Sequence, residues 1–266
     1  MARLPILIDD SLLTARFAHP FRAGWLDADA VALRALGSSA DLRGFDGVAL
    51  VDAVLAAALL ESWVILPDHA VASRRESMLN LVSDRRPDGL ERITLGVGGV
   101  SDVAQAVAGA TLPRFYGIEI TALSAAQVTP DAANAYLEEG AHALADVDDN
   151  GWFHEDLGRA WFLLTQTPFV THICIAPRDH TVHNHDAVSA TLEHIQLARD
   201  MSHERSRELR RDLTREHGVD RELLGEVLAD QSNTLGVDER AGLKSLYSFS
   251  GRRAAADRLT RSISEL

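Results

Sequence analysis

Residues 46–61 read DGVALVDAVLAAALLE. The apolar run Asp46–Val51 is short and bounded by Gly47 and Asp52, as expected of a strand buried on both faces in a parallel sheet. The alanine-rich stretch Ala53–Glu61 that follows reads as a helix. Upstream, Leu4–Ile8 is a second short apolar run, closed by the turn Asp9-Asp10-Ser11, and Ala28–Leu36 has helical composition. Downstream, Trp63–Leu66 and His69–Ser73 read as strand pieces around Pro67, and Met78–Ser83 is a further apolar run. The segment Asp84–Glu91, DRRPDGLE, carries the turn chemistry of a linker.

A second unit of the same kind starts at Arg92. Ile93–Leu95 reads as a strand, Gly96–Gly99 as a glycine-bearing loop, and Ser101–Ala108 as a helix with Ser101 as its N-cap. Gly117–Leu123 reads as a strand, Pro130–Glu139 as a helix, Ala141–Val147 as a strand, Phe153–Leu164 as a helix and Phe169–Ala176 as a strongly apolar strand. From His185 the pattern is helical: one long helix over Val188–Glu216 stopped at Gly218, then Arg221–Gln231 and Asp238–Phe249. Alternating strands and helices imply an α/β fold with mixed or parallel sheets. The expected plan is two lobes, one of residues 1–91 plus 177–266 and one of residues 92–176, with the helical tail packed on the first lobe.

Composition removes several function classes. The chain has 266 residues, 46% of them hydrophobic and 24% charged, enough for a sizeable core. Its net charge of −13 argues against nucleic-acid or anionic-membrane partners, which need a basic face. No apolar run approaches the ~20 residues that span a bilayer. Cys174 is the single cysteine, so neither an internal disulfide nor a cysteine-built zinc site can form. The N-terminus reads as a buried strand and not as a secretory signal, which predicts a cytoplasmic protein.

Candidate chemistry gathers at the strand ends, where open α/β sheets bind ligands. Asp10, Ser11 and Thr14 follow the first strand, Asp52 the strand Asp46–Val51. Gly98, Gly99, Ser101 and Asp102 open the helix of the second unit, and Asp146 closes a strand there. Two ends come from each lobe, the arrangement of an interlobe cleft for a small molecule. The loop Gly96–Ser101, GVGGVS, lacks the Gly-Lys-Ser/Thr of a phosphate-binding loop and suits a carboxylate better than a nucleotide. His180, His183 and His185 match no named metal spacing and read as a polar loop, so no metal is expected. A homodimer is compatible with the sequence, but nothing in it specifies one.

The stretch Asp46–Gly96 resembles the chorismate dehydratase family of the futalosine route to menaquinone, which reads "D-x-A-L-V-S-S" and then "I-L-P-D-x-x-I-A-S". The segment DLGRAWFLLTQTPFV is similar to its "D-L-G-x-x-W-x-x-x-T-G-L-P-F-V", with Asp156, Leu157, Gly158, Trp161, Thr165, Pro168, Phe169 and Val170 matching. The resemblance implies a two-lobed fold of the type II periplasmic-binding-protein kind, a cleft between the lobes, no cofactor, and removal of water from chorismate to leave an enolpyruvyl-oxybenzoate.

The pocket-facing positions depart from that family. Leu13 stands where it has asparagine, Asp52-Ala53 where it has two serines, Asp102 closes a loop that is hydroxyl-rich there, and Ala145-Asp146 replaces "G-D". A dianionic substrate beside these acids needs an arginine to offset repulsion, for which Arg16, Arg74 and Arg75 are the candidates. The expected substrate contacts are Asp10, Ser11, Thr14, Arg16, Ser73, Arg74, Gly98, Gly99, Ser101 and Asp102, with Asp146 or Asp52 as the base. Two functions remain open at this level: a lyase acting on a small carboxylate, and a non-catalytic solute-binding or sensor protein using the same cleft.

Overall fold

The computed structural model describes residues 3–125, 134–145 and 151–264. The first lobe opens with β1 (Ile6–Asp9), α1 (Ala15–Arg22), β2 (Val31–Arg34), β3 (Val48–Asp52), α2 (Ala53–Ala57) and β4 (Trp63–Ser73). The second lobe contains β5 (Leu79–Ser83), β6 (Arg92–Gly96), α3 (Asp102–Thr111), β7 (Glu119–Ser124), β8 (Ala135–Glu139), β9 (Phe153–Asp156) and α4 (Leu157–Thr165). The chain returns to the first lobe as β10 (Phe169–Pro177). It then runs through α5 (Arg178–His183), α6 (His185–Glu204), α7 (Ser206–His217), α8 (Arg221–Asp230), α9 (Val237–Phe249) and α10 (Arg253–Ser262). Among the described residues no helix is long and apolar enough to cross a membrane.

Each lobe is built on a mixed five-stranded sheet, in the orders β2-β1-β3-β10-β4 and β7-β6-β8-β5-β9. In the first sheet β1, β2 and β3 are parallel, and β10 enters antiparallel between β3 and β4. Strand alternation sorts the core. Ile6, Ile8, Val48, Leu50 and Cys174 face α1 and α6, while Leu7, Ala49, Val51, Ile173 and Ile175 join a larger cluster on the opposite face. That larger cluster continues without a break into the second lobe through Val103, Val107, Leu95 and Trp161.

The lobe borders differ from the sequence expectation of 91 and 176. β5 pairs with β8 and β9 and belongs to the second sheet, whereas all of β10 belongs to the first. The Pro- and Gly-bearing stretch 84–91 is therefore a strand-to-strand connection inside the second lobe. The chain crosses between lobes at residues 74–78 and 166–168, directly beside the paired residues Ser73 and Phe169.

The crossings are held by carboxylates, a signal that turn composition does not carry. Asp230 Oδ2 accepts the backbone N–H groups of Arg74, Arg75 and Glu76 at 2.8, 2.8 and 3.2 Å. Asp156 accepts Ser77 N at 2.8 Å and Ser77 Oγ at 3.0 Å, and it caps α4 through Arg159 N at 2.6 Å. Gly158 donates its N–H to Ser77 Oγ at 3.0 Å; a Cβ there would lie 2.2 Å from Ser77 Cβ. Trp161 is fully buried and donates to Pro168 O at 3.3 Å, and α9 approaches the same carbonyl so closely that a Cβ on Gly242 would meet it at 2.2 Å. The Asp-Leu-Gly…Trp…Pro-Phe segment thus ties the two crossings together.

Several local expectations change, and for β2, β8 and β9 the reason is pairing overriding propensity. Residues 31–34 form edge strand β2 on β1, not a helix. Residues 135–139 form β8, wedged between β5 and β6, not a helix. The expected helix over 153–164 divides into β9 and α4, the long helix over 188–216 breaks at Arg205, and α10 is an additional helix. The tail packs on the first lobe as expected. It also covers the open edge of β4, with Ser232 bridging Ala72 and Ile263 bridging Ile65, which removes a free strand edge.

Candidate functional site

The C-terminal ends of β1 and β3 and the first turn of α3 meet where the lobes face each other. Asp9 ends β1 and Asp52 ends β3; His172 of β10 lies opposite Asp52 in register. Both the imidazole and the Asp52 side chain are buried. The His172 imidazole reaches over β3 and donates from Nε2 to Asp9 Oδ2 at 3.2 Å, while Nδ1 lies 3.1 Å from Thr171 Oγ1. Asp9 Oδ1 accepts Leu36 N at 3.0 Å.

Asp52 is an N-cap with a second engagement. Its Oδ1 accepts Val54 N and Leu55 N at 2.7 and 2.8 Å, capping α2, and its Oδ2 accepts Val103 N of α3 at 3.1 Å, across the cleft. From the second lobe, Glu139 at the end of β8 accepts Ser101 N at 2.7 Å on Oε2 and Ser101 Oγ at 2.7 Å on Oε1. Ser101 Oγ in turn accepts Ala104 N at 3.1 Å, the cap expected from the sequence.

Burial pushes the Glu139 carboxyl up. The two Ser101 donors pull it back, Asp52 adds to the rise, and His172 opposes it. Burial likewise raises Asp52, opposed by His172 and the three backbone N–H groups.

A small cavity, with room for about one water molecule, lies between the lobes at the crossings. Its wall includes Ser73, Glu76, Glu139, Thr171 and Gln231, over an apolar floor containing Leu13, Met78 and Phe169. Burial raises the Glu76 carboxyl, and Asp156, Glu226 and Asp230 raise it further. Gln231 donates Nε2 to Leu13 O at 3.3 Å, while its buried Oε1 has no partner.

The expected site residues are distributed as follows. Asp52, Ser101 and Ser73 gather at the interlobe face. Thr14 is buried and donates Oγ1 to Asp9 O at 2.5 Å, shaping the turn after β1, with Ser11 Oγ 3.4 Å from the same hydroxyl. Asp10 pairs with Arg22. Arg16 points into the tail, where Nη2 donates to Leu228 O at 2.7 Å and Nη1 lies 2.9 Å from His203 Nδ1. Arg74 pairs with Asp238 at 2.6 Å. Gly98 and Gly99 form the turn into α3, with Gly99 at φ 82, and Asp102 is exposed on its first turn. Asp146 lies outside the described residues. His180, read as part of a polar loop, is in α5 and engages Asp46 and Asn184.

Among the described residues no arginine or lysine lines the cavity. Sequence reasoning missed Glu139, because Pro130–Glu139 has helical composition, and His172, although an imidazole inside the apolar run FVTHICIA is itself a signal.

A family model gives the family, and the solved structures give the fold. The model of a family described as menaquinone biosynthesis matches residues 39–252. A structural-genomics protein from Archaeoglobus fulgidus is similar at 16% identity and a TM-score of 0.68, covering 95% of this chain and 98% of its own. The periplasmic aliphatic sulphonate binding protein of Escherichia coli is similar at 11% identity and a TM-score of 0.69, covering 100% and 92%. The alkanesulfonate-binding protein of Xanthomonas axonopodis pv. citri, bound to MOPS, follows at 11% and 0.68, covering 100% and 99%. No curated protein matches this chain in sequence. The fold is that of the periplasmic binding proteins, two lobes flanking a cleft.

Proposed function

Because the chain belongs to the menaquinone-biosynthesis family, we propose that it is a carbon–oxygen lyase of the chorismate-dehydratase type, removing water from a small cyclic carboxylate that enters between the lobes when they open. The observation that carries this reading is Glu139: a buried carboxyl on the cavity wall, raised by desolvation, with Ser101 and His172 opposing the rise. A buried carboxyl with a raised pKa and a fixed hydrogen-bond donor beside it is a candidate proton-transfer group.

In this scheme Glu139 takes the proton from the ring carbon that bears the enolpyruvyl ether. The C–H electrons form the new ring double bond as the C–O bond to the neighbouring hydroxyl breaks. The hydroxyl departs as water with a proton from Glu76, whose carboxyl is also raised. Both carboxyls regain their starting states by proton exchange with solvent. The ring becomes aromatic, which drives the step. Ser73 Oγ donates to a carboxylate oxygen of the substrate and the free Gln231 Oε1 accepts from its hydroxyl, with the hydrogen-bonded Asp9–His172 pair behind Glu139.

The test is purified protein with chorismate, read by ultraviolet absorbance and by mass for loss of one water. Enzyme-dependent loss of water that falls at least about 100-fold in Glu139→Gln, a magnitude typical of losing one acid–base group, supports the reading. No turnover, combined with thermal stabilisation by some other solute, replaces the lyase with a binding protein on the same cleft.

A further inference from the structure

The β4–β10 strand pair carries the crossings at one end. At the other end Trp63 pairs with Pro177, eight residues along β10 from Phe169, and so roughly 25 Å away at about 3.3 Å per residue. A groove of about 460 Å³ lies there, lined by Leu60, Glu61, Arg178, Arg258, Arg261 and Ser262. Its residues come from three places in the chain: the turn before β4, the start of α5 and the end of α10. Backbone hydrogen bonds hold these segments together. Arg178 N donates to Ser62 O at 2.9 Å, and Ser264 N, just past α10, donates to Ile65 O at 2.9 Å.

Charge in this groove runs against the rest of the molecule. The chain carries 39 acids against 26 lysines and arginines, yet the groove has three arginines and one acid. That acid is already committed, since Glu61 Oε1 accepts from Arg258 Nη1 at 2.8 Å. Among the described residues the guanidinium groups of Arg178 and Arg261 have no carboxylate or hydrogen-bond partner. Ser262 is only 2% exposed, and its hydroxyl has no partner either. Two uncompensated guanidinium groups and a hydroxyl form a donor set for a tetrahedral dianion, because the guanidinium fork matches phosphate oxygens. Leu60 adds an apolar surface for the organic part of such a ligand.

We propose that this groove is a second ligand site, built for a phosphate monoester, in which Arg178 and Arg261 hold the phosphoryl oxygens and Ser262 donates to one of them. The site is remote from the interlobe face and does not depend on the chemistry assigned there.

Calorimetric titration of the whole chain with methyl phosphate, at constant ionic strength and pH 8, tests it. Methyl sulfate has the same tetrahedral head with one charge fewer and serves as the matched monoanion. Arg178→Ala and Arg261→Ala remove side chains that no protein group holds, so the fold is kept. Arg253→Ala removes the same charge from an exposed position of α10 outside the groove. The parent chain is expected to bind methyl phosphate saturably, and at least about tenfold more tightly than methyl sulfate. Each groove variant should weaken methyl phosphate binding about tenfold or more, the worth of a hydrogen bond to a charged group, with Arg253→Ala unchanged. No saturable binding by the parent chain at millimolar methyl phosphate overturns the proposal. So does unchanged affinity in either groove variant, equal affinity for methyl sulfate, or an equal loss in Arg253→Ala.

Discussion

Acidification should destabilise this protein through His69, a residue of β4 far from the cleft chemistry. Its ring is almost completely buried, packed edge-on against Phe17 at 5.8 Å between ring centroids. Nε2 donates to Leu192 O at 3.0 Å, and Nδ1 has no partner. Burial lowers its pKa from 6.5 to about 4. The folded state therefore binds fewer protons than the unfolded chain between those values, and stability falls as the pH drops through that window. A shift of that size corresponds to about 3 kcal/mol once both states are protonated, and to about 2 kcal/mol at pH 5. Urea unfolding of the parent chain and of His69→Leu at pH 7.5 and pH 5 isolates the effect. At pH 7.5 the variant should be the less stable, having lost the Leu192 contact. At pH 5 the difference should move in the variant's favour by about 2 kcal/mol. A stability difference that does not change with pH would refute the assignment of a buried neutral imidazole.

Further substitutions test the crossings and the packing of the tail on the first lobe. Gly158→Ala should cost about 1–3 kcal/mol through the clash with Ser77, measured by thermal melting, and Ser77→Gly should restore part of that loss in the double variant. Tyr247→Phe removes the hydroxyl that donates to Ala53 O at 2.9 Å. It should cost about 1–3 kcal/mol, since a buried carbonyl loses its donor; unchanged urea midpoints would show that the carbonyl finds another partner.

How much the sequence revealed depended on whether the determinant was local. β3 and α2 were legible because a buried run and its acidic cap are adjacent in the chain, and Ser101 was legible as a cap for the same reason. β8 was not. AYLEE is helical by composition, and only its pairing with β5 and β6 makes it a strand and delivers Glu139 to the cleft. The lobe border was misplaced because a Pro-Gly turn is conspicuous and the true crossing is not: Arg74, Arg75 and Glu76 are held through their backbone by Asp230, some 155 residues away. Asp52 was visible as a strand-end acid, but its reach to Val103 could not be read without the second lobe in place. Arg16 illustrates the converse: a charge near the first strand end in sequence, yet committed to the C-terminal helices in space.

The pairing of Ser73 with Phe169 has a kinematic consequence. The second lobe leaves β4 and returns to β10 at neighbouring points of one sheet, so it is an insertion at the mouth of a strand pair. Two adjacent tethers behave like the leaves of a door hinge. They permit swing about one axis and resist sliding and twisting, because either would have to shear the β4–β10 ladder. Any opening of this protein should therefore be a swing with a fixed axis, and the residues that travel farthest should be those at the rim most distant from Ser73 and Phe169.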